Sequence, residues 1–365
     1  MKKINITLKD PIMGIINKSL MKLPNPSSIS FLWNIGFLLG ITLCSQILTG
    51  LVLSINFIAQ REIAFSSVIH ILRDLDRGWV IKNLHINGAS LFFLLIFIHI
   101  SRGIYFSSPP KVPIVWSSGL VILLCSIATA FIGYVLPWGQ ISFWGATVIT
   151  SILSAIPYLG KTLTLWIWGN FSVSQPTLNR FLSLHFILPL AIVVLVLAHL
   201  IFLHKTGSSN PLGSNPNYDK TKFFPSFLFK DLSLIILVIL FTWITICIYP
   251  FFLGDVENFS IARPTSTPTH IQPEWYFLFA YAILRSIPSK LGGVVAIVAS
   301  ILILTITCLK THKNRKFLPL QKIKFWSFCR VFLILTWIGA NPVEPPFILI
   351  GQVTTILYFS LVISP

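Results

Sequence analysis

Residues 79–105 read WVIKNLHINGASLFFLLIFIHISRGIY, and residues 178–203 read LNRFLSLHFILPLAIVVLVLAHLIFL. Each run is apolar and long enough to cross a bilayer as a helix. Each carries two histidines 14 residues apart, His85 and His99 in the first and His185 and His199 in the second. On an α-helix that step is four turns less about 40°, and it lifts the second ring about 21 Å above the first. It is also two heptads, so a left-handed supercoil keeps both rings turned to one partner. Two such helices side by side oppose four imidazoles at two heights. A lone histidine in an apolar run is ordinarily a hydrogen-bonded packing residue. Here four of the chain's 8 histidines share one spacing, and polar residues at membrane depth are functional suspects.

Hydrophobic residues make up 55% of the 365-residue chain and charged residues 10%, against about 25% charged in soluble domains. The chain is therefore read in membrane spans. A net charge of +17 could suggest a nucleic-acid partner. The cations, however, fall in loops between apolar runs, which is the pattern of membrane orientation, so no nucleic acid is expected.

A basic segment over 1–30 is expected to lie on the membrane surface. Spans follow at about 31–55, 79–105, 116–136 and 178–203, then 232–251, 291–309, 326–338 and 347–363. A Trp-rich connection with short helical pieces fills 139–175, and a proline-rich loop with an apolar centre fills 254–289. The expected fold is an all-α membrane protein of eight transmembrane helices. A four-helix bundle occupies 31–210 and a C-terminal four-helix region 211–365. The N-terminus carries no evident secretory signal or transit peptide.

Cations crowd one side: Lys2, Lys3, Lys9, Lys18 and Lys22, then Lys111, Lys205, Lys220, Lys222 and Lys230, then the run 310–324. Only Asp10, Asp219 and Asp231 join them there, out of 10 acids in the chain. By the positive-inside rule this is the cytoplasmic or matrix face, and it holds both termini. The second and fourth spans then run parallel, so His85 should face His185 near the outer surface and His99 should face His199 nearer the inner one. A zinc site would ordinarily add further ligands, and none sits at these levels. Haem iron, with two axial ligands in an apolar slot, fits best. No Cys-x-x-Cys-His motif occurs, so the haem would be non-covalent.

Gly36 and Gly50 on the first span, and Gly119 and Gly133 on the third, repeat the 14-residue step. Small-residue packing is the ordinary reading of a membrane glycine. Two pairs with the histidine period point instead to room cleared for flat macrocycles. Haem carboxylates need cations: Lys82 and Arg180 stand at the outer edge and Arg102 at the inner one, with Asn87 or Ser101 as further candidates.

These histidines and glycines, together with Gly-Tyr-Val-Leu-Pro-Trp-Gly-Gln at 133–140, Ser-Phe-Trp-Gly-Ala-Thr-Val-Ile-Thr at 142–150 and Pro-Glu-Trp-Tyr at 273–276, resemble cytochrome b of ubiquinol–cytochrome c reductase, respiratory complex III. The resemblance runs from about residue 25 onward. The 14-residue spacing, and the fusion of all spans in one chain, are similar to the mitochondrial and proteobacterial forms. The resemblance implies two haem b groups, quinol oxidation at an outer pocket and quinone reduction at an inner one, with ubiquinol and ubiquinone as substrates. It further implies a Rieske-type iron–sulfur protein, a c-type cytochrome, other complex III subunits, membrane lipid and a homodimer as partners. The implied location is the mitochondrial inner membrane or, alternatively, a bacterial plasma membrane.

In the outer pocket, Glu274 matches the carboxylate that accepts a quinol proton, and Phe131, Tyr134, Gly145, Ala146, Pro273, Tyr276 and Tyr281 match its walls. In the inner pocket, His204 and Asp231 match proton donors, and Asn34, Ser208 and Lys230 match further positions. Lys82 stands where the family usually has arginine, which keeps the charge but loses the bidentate fork. Lys205 replaces a usual acid. His70, His270 and His312 are read as loop residues. Two other readings fit less well: a di-haem dehydrogenase anchor would not need the Pro-Glu-Trp-Tyr loop or the last three spans, and an ion transporter would show an internal repeat or interrupted helix pair.

Overall fold

The computed structural model describes residues 21–309 and 319–364 together with Gly14 and Asn17. The expected surface helix over 2–22, apart from these few residues, and the basic run with His312 lie outside the described residues. Among the described residues twelve α-helices are found. Their bounds are α1 Ile35–Asn56, α2 Ala64–Arg73, α3 Gly78–Tyr105, α4 Pro113–Val135, α5 Gln140–Ile152, α6 Gly160–Trp168, α7 Gln175–Thr206, α8 Ser226–Ile248, α9 Leu278–Ser286, α10 Lys290–Leu302, α11 Pro319–Gly339 and α12 Phe347–Ile363. One short antiparallel pair, Pro24–Pro26 with Lys220–Lys222, ties the N-terminal segment to the loop before α8.

Local chemistry sets the helix ends. Proline opens α4, where its missing N–H costs nothing. At the start of α7 the Thr177 hydroxyl accepts the Ser174 N–H at 3.1 Å, and Gly207 closes the helix at φ 77, a conformation glycine adopts without a Cβ penalty. Pro189 sits inside α7, four residues after His185, so the His185 carbonyl lacks its usual helical donor.

Six helices are long and apolar enough to span: Phe31–Asn56 (α1 with its leading turn), α3, α4, α7, α8 and Lys290–Leu309 (α10 with its trailing 3-10 turns). Two of the eight expected spans fall short of that length and composition. The helix α11 carries Lys322, Lys324 and Arg330, and α12 is 17 residues long. The helices themselves lie where the apolar periodicity puts them.

Within the N-terminal bundle the closest pairings are α1 with α3 and α4 with α7. The two histidine-bearing helices are each paired with a glycine-bearing helix. Leu43, Phe92, Phe93, Ile96, Leu120, Leu123 and Ile192 form the shared core of all four. Outward-facing apolar residues on α7 and α8, such as Val194, Ile201 and Leu237, stay exposed within the chain, as a lipid-facing surface requires. A second core joins α9, α10, α11 and α12 through Phe279, Ile283, Ala296, Leu335 and Tyr358.

The crossing of α9 and α11 is tight. A Cβ on Gly339 would stand 2.3 Å from the Leu278 carbonyl oxygen, and backbone cannot yield as a side chain does. Gly339→Val should therefore lower stability by roughly 1–3 kcal/mol as the helices separate, read as an earlier thermal loss of the folded protein in detergent.

Candidate haem and quinone sites

Each of the four histidines meets one of the four glycines. A Cβ at Gly50 would stand 3.1 Å from His85 Cε1, and one at Gly36 would stand 3.3 Å from His99 Cε1. On the other pair, Gly133 would meet His185 Cε1 at 2.3 Å and Gly119 would meet His199 Cε1 at 3.3 Å. The first occupant of the space the glycines clear is thus the imidazole edge of the neighbouring helix, which refines the expectation of room for a macrocycle.

The same neighbours hold the ring tautomers. Thr49 Oγ1 lies 2.9 Å from His85 Nδ1, while its own hydrogen goes to the Ser45 carbonyl at 2.7 Å. Ser118 Oγ lies 2.8 Å from His199 Nδ1 and donates to the Val115 carbonyl at 2.9 Å. A hydroxyl has one proton to give, so in both cases it accepts from Nδ1–H. His185 Nδ1–H donates to the Thr129 carbonyl at 2.9 Å. In these three rings Nε2 is therefore left as the free lone pair, the arrangement a metal-ligating histidine needs.

His85 and His185 face each other with ring centroids 6.2 Å apart and planes 82° apart. A metal held by two ring nitrogens at about 2 Å each sets imidazole centroids roughly 6 Å apart, so this pair could accept one ion between them. His99 and His199 lie within electrostatic range of each other, with Arg102 beside both. Arg102 Nη2 is 3.4 Å from His99 Nδ1, a long contact, and its guanidinium sits 5.3 Å over the Trp33 ring. Its Nε is buried without a partner. A buried unpaired guanidinium donor calls for an acceptor, and an anionic group on a ligand at this level would supply it. Among the described residues no cluster of three or more histidine, cysteine or acidic side chains occurs, so the donor sets are pairs.

The other two expected cations are held differently. Lys82 Nζ stands 5.1 Å over the Phe251 ring and 5.9 Å over the Phe259 ring. Arg180 donates to the carbonyls of Trp166 and Ile167 at the end of α6 and stacks near Trp166. Asn87 donates to the Pro250 carbonyl at 2.9 Å and follows His85 by two residues, at the level of the His85 pair and not that of His99, while Ser101 follows His99 by two residues.

A small cavity of about 30 Å³ lies between the end of α4, α5 and the loop before α9. Phe131, Tyr134, Gly145, Ala146, Pro273, Glu274 and Tyr281 all line it. Tyr276, expected as a wall, is instead buried behind it, stacked on Phe93 with centroids 4.2 Å apart, and Phe277 takes the wall position. Ile271, Gln272 and Ser142 also line the cavity and were not anticipated. Gln272 Oε1 is a buried acceptor without a partner. Tyr134 is hydrogen-bonded to Glu274. Burial pushes the Glu274 carboxyl up to about 7, the Asp255 charge adds to the rise, and the Tyr134 hydroxyl opposes it.

Ser142 in the cavity lining belongs to a joint between α5 and the 3-10 turn Val256–Phe259. Asn258 Oδ1 accepts from the Ser142 backbone N–H at 3.0 Å, the Ser142 hydroxyl donates to the Tyr134 carbonyl at 2.6 Å, and Gln140 binds the backbone of Arg263 and Ser266. Gly139 has no room for a Cβ, which would meet that Asn258 Oδ1 at 2.3 Å.

At the inner end, the Asn34 amide donates to the Asp231 carboxylate, and both residues are buried. His204 and Lys205 are exposed on the last turn of α7, and His204 makes no hydrogen bond or ion pair with a described residue. Lys230 is exposed with its ammonium 5.4 Å over the Phe227 ring, and Ser208 is half-buried in the loop after α7. The structure therefore joins Asn34 to Asp231 and leaves His204 apart. His70, read as a loop residue, lies in α2 and pairs with Asp74 at 2.8 Å, one turn on.

Sequence and structure comparisons agree with this geometry. Residues 20–207 match the family described as cytochrome b/b6/petB, and residues 261–359 match the cytochrome b (C-terminal)/b6/petD family. A chain of a solved structure described as a hyperthermophilic respiratory Complex III superposes with a TM-score of 0.92 at 30% identity, covering 98% of this chain and 95% of that one. With its histidines and glycines facing one another across paired membrane helices, the chain belongs to the cytochrome b family.

Proposed function

We propose that this multi-pass membrane protein is the haem b subunit of a quinol–cytochrome c oxidoreductase of the complex III type. One haem b would sit between His85 and His185 and a second between His99 and His199. When bound, each supplies a one-electron carrier at its own depth in the membrane. The observation that carries the reading is the imidazole set itself: three rings fixed as Nδ1–H donors, with the outer pair facing at 6.2 Å. Arg102 would neutralise an inner haem carboxylate, with Lys82 and Arg180 as the outer cations.

Quinol would bind in the cavity beside Glu274. Its two electrons part there, one to a Rieske-type iron–sulfur partner that serves a c-type cytochrome, the other across the membrane to quinone at an inner site. Glu274 accepts a quinol proton as carboxylate, and a carboxyl held near neutrality is matched to that task. The apolar walls around it keep bulk water away. Asp231, with Asn34, and His204 at the membrane edge would return protons to the reduced quinone, with Ser208 and Lys230 lining its approach. Protons released outside and consumed inside build a gradient. Eight spans, with α11 and α12 crossing despite their charge and length, would put both termini on the inner side. A homodimer with lipid and other complex III subunits completes the assembly, in a mitochondrial inner or bacterial plasma membrane.

Two experiments on the assembled complex test this. Reduced-minus-oxidised difference spectra should show two b-type components; Gly133→Ala, whose Cβ collides with His185 at 2.3 Å, should remove the outer one, while Gly36→Ala, at 3.3 Å, keeps the inner one. A spectrum with no b-type absorbance in the parent protein refutes the reading. Quinol oxidation should fall as pH drops below about 7, where Glu274 becomes protonated and loses its role as acceptor. Glu274→Gln should cost about 10²-fold in turnover and abolish that inflection in the pH–rate profile.

A further inference from the structure

Tyr281 forms one wall of the outer cavity. Its hydroxyl donates to the Ile271 carbonyl at a long 3.4 Å. What contacts its ring is Arg285, one turn further along α9, whose guanidinium carbon lies 4.8 Å from the ring centroid. The other edge of that guanidinium is anchored. Nη2 donates to the carbonyls of Ile338 and Asn341, both at 2.8 Å, at and just beyond the C-terminal end of α11, where the Ile338 carbonyl also accepts from the Asn341 N–H at 3.0 Å. Arg285 Nε is buried and unpartnered, so the group is held by carbonyls on one edge and an aromatic face, with a donor left unused. Burying an unsatisfied donor is costly. A plane set where it stacks on Tyr281 accounts for that sacrifice better than capping alone, which an unstacked lysine could also do.

We infer that Arg285 is a positioning residue for the outer cavity: it ties the Tyr281 wall to the end of α11. The C-terminal helices thereby take part in quinol binding without touching quinol. The tight contact of Gly339 against Leu278 and the Ser286–Thr355 hydroxyl pair at 3.1 Å make α9, α11 and α12 one rigid support behind the wall. This rests on the assignment of the cavity to quinol made above.

Arg285→Ala strips two hydrogen bonds from a helix end and is expected to lower assembly, so the deciding variants are Arg285→Lys, Tyr281→Leu and their combination in the assembled complex. Lysine keeps the charge and can still donate to the carbonyls, but it lacks the planar face. Arg285→Lys should leave both b-type spectral components intact and raise the apparent KM for a short-tailed quinol about tenfold, with a smaller change in kcat. Tyr281→Leu should raise KM to a similar degree, and the double variant should be no worse than Tyr281→Leu. If Arg285→Lys shifts only thermal stability, or if the two effects on KM multiply, the positioning role is wrong while the cavity assignment stands. If Tyr281→Leu itself leaves KM unchanged, the cavity assignment falls, and this inference with it.

Discussion

An imidazole can hold a metal on one nitrogen only if the other is settled, and in this protein the settling is done by the opposite helix of each pair. Thr49 and Ser118 spend their own protons on carbonyls of their own helix and so must accept from His85 and His199. The Thr129 carbonyl does the same for His185. These contacts require the rings to lie against the neighbouring backbone, and glycine at 50, 119 and 133 is what lets them. Hydrogen bonding and close packing are therefore one constraint, and the pairing of α1 with α3 and of α4 with α7 follows from it.

The outer cavity depends on a different balance. A carboxylate in an apolar setting is unfavourable as a charge, and Glu274 is kept near its titration point by burial working against one phenol hydrogen bond. Its surroundings come from three distant stretches: the end of α4 supplies Tyr134, α5 supplies Gly145 and Ala146, and the loop before α9 supplies Pro273 and Glu274 itself. Gly145 has open space where a Cβ would be, so any side chain there would fill the cavity. The Asn258 joint holds the loop to α5, and Arg285 holds the far wall to α11. The cavity is built on a scaffold assembled from both halves of the chain.

Much of this was legible in the sequence because membrane helices constrain the reading. A 14-residue step maps directly onto height and azimuth, so His85 opposite His185 could be stated before any contact was known. The Nδ1 partners were less visible. In hindsight Thr49 and Ser118 each directly precede a glycine of the repeat, which is a usable signal, but the Thr129 carbonyl has none. The assignments of Tyr276 and Phe277 show the limit of motif reading. Adjacent residues in a 3-10 turn point about 120° apart, and only packing against Phe93 decides which one faces the cavity.

The sequence by itself determined the all-helical membrane architecture, the two levels of histidine pairs and the glycines that match them, because periodicity and hydropathy act locally along a helix; the acid of the cavity was legible only through the family resemblance of its Pro-Glu-Trp-Tyr motif. Only the tertiary structure decided how Lys82 and Arg180 are held, that Asn34 rather than His204 meets Asp231, and that Arg285 reaches from α9 to the end of α11. Long, flexible side chains and loop residues take their partners from elements far away in the chain, and no local pattern encodes which of several reachable partners is chosen.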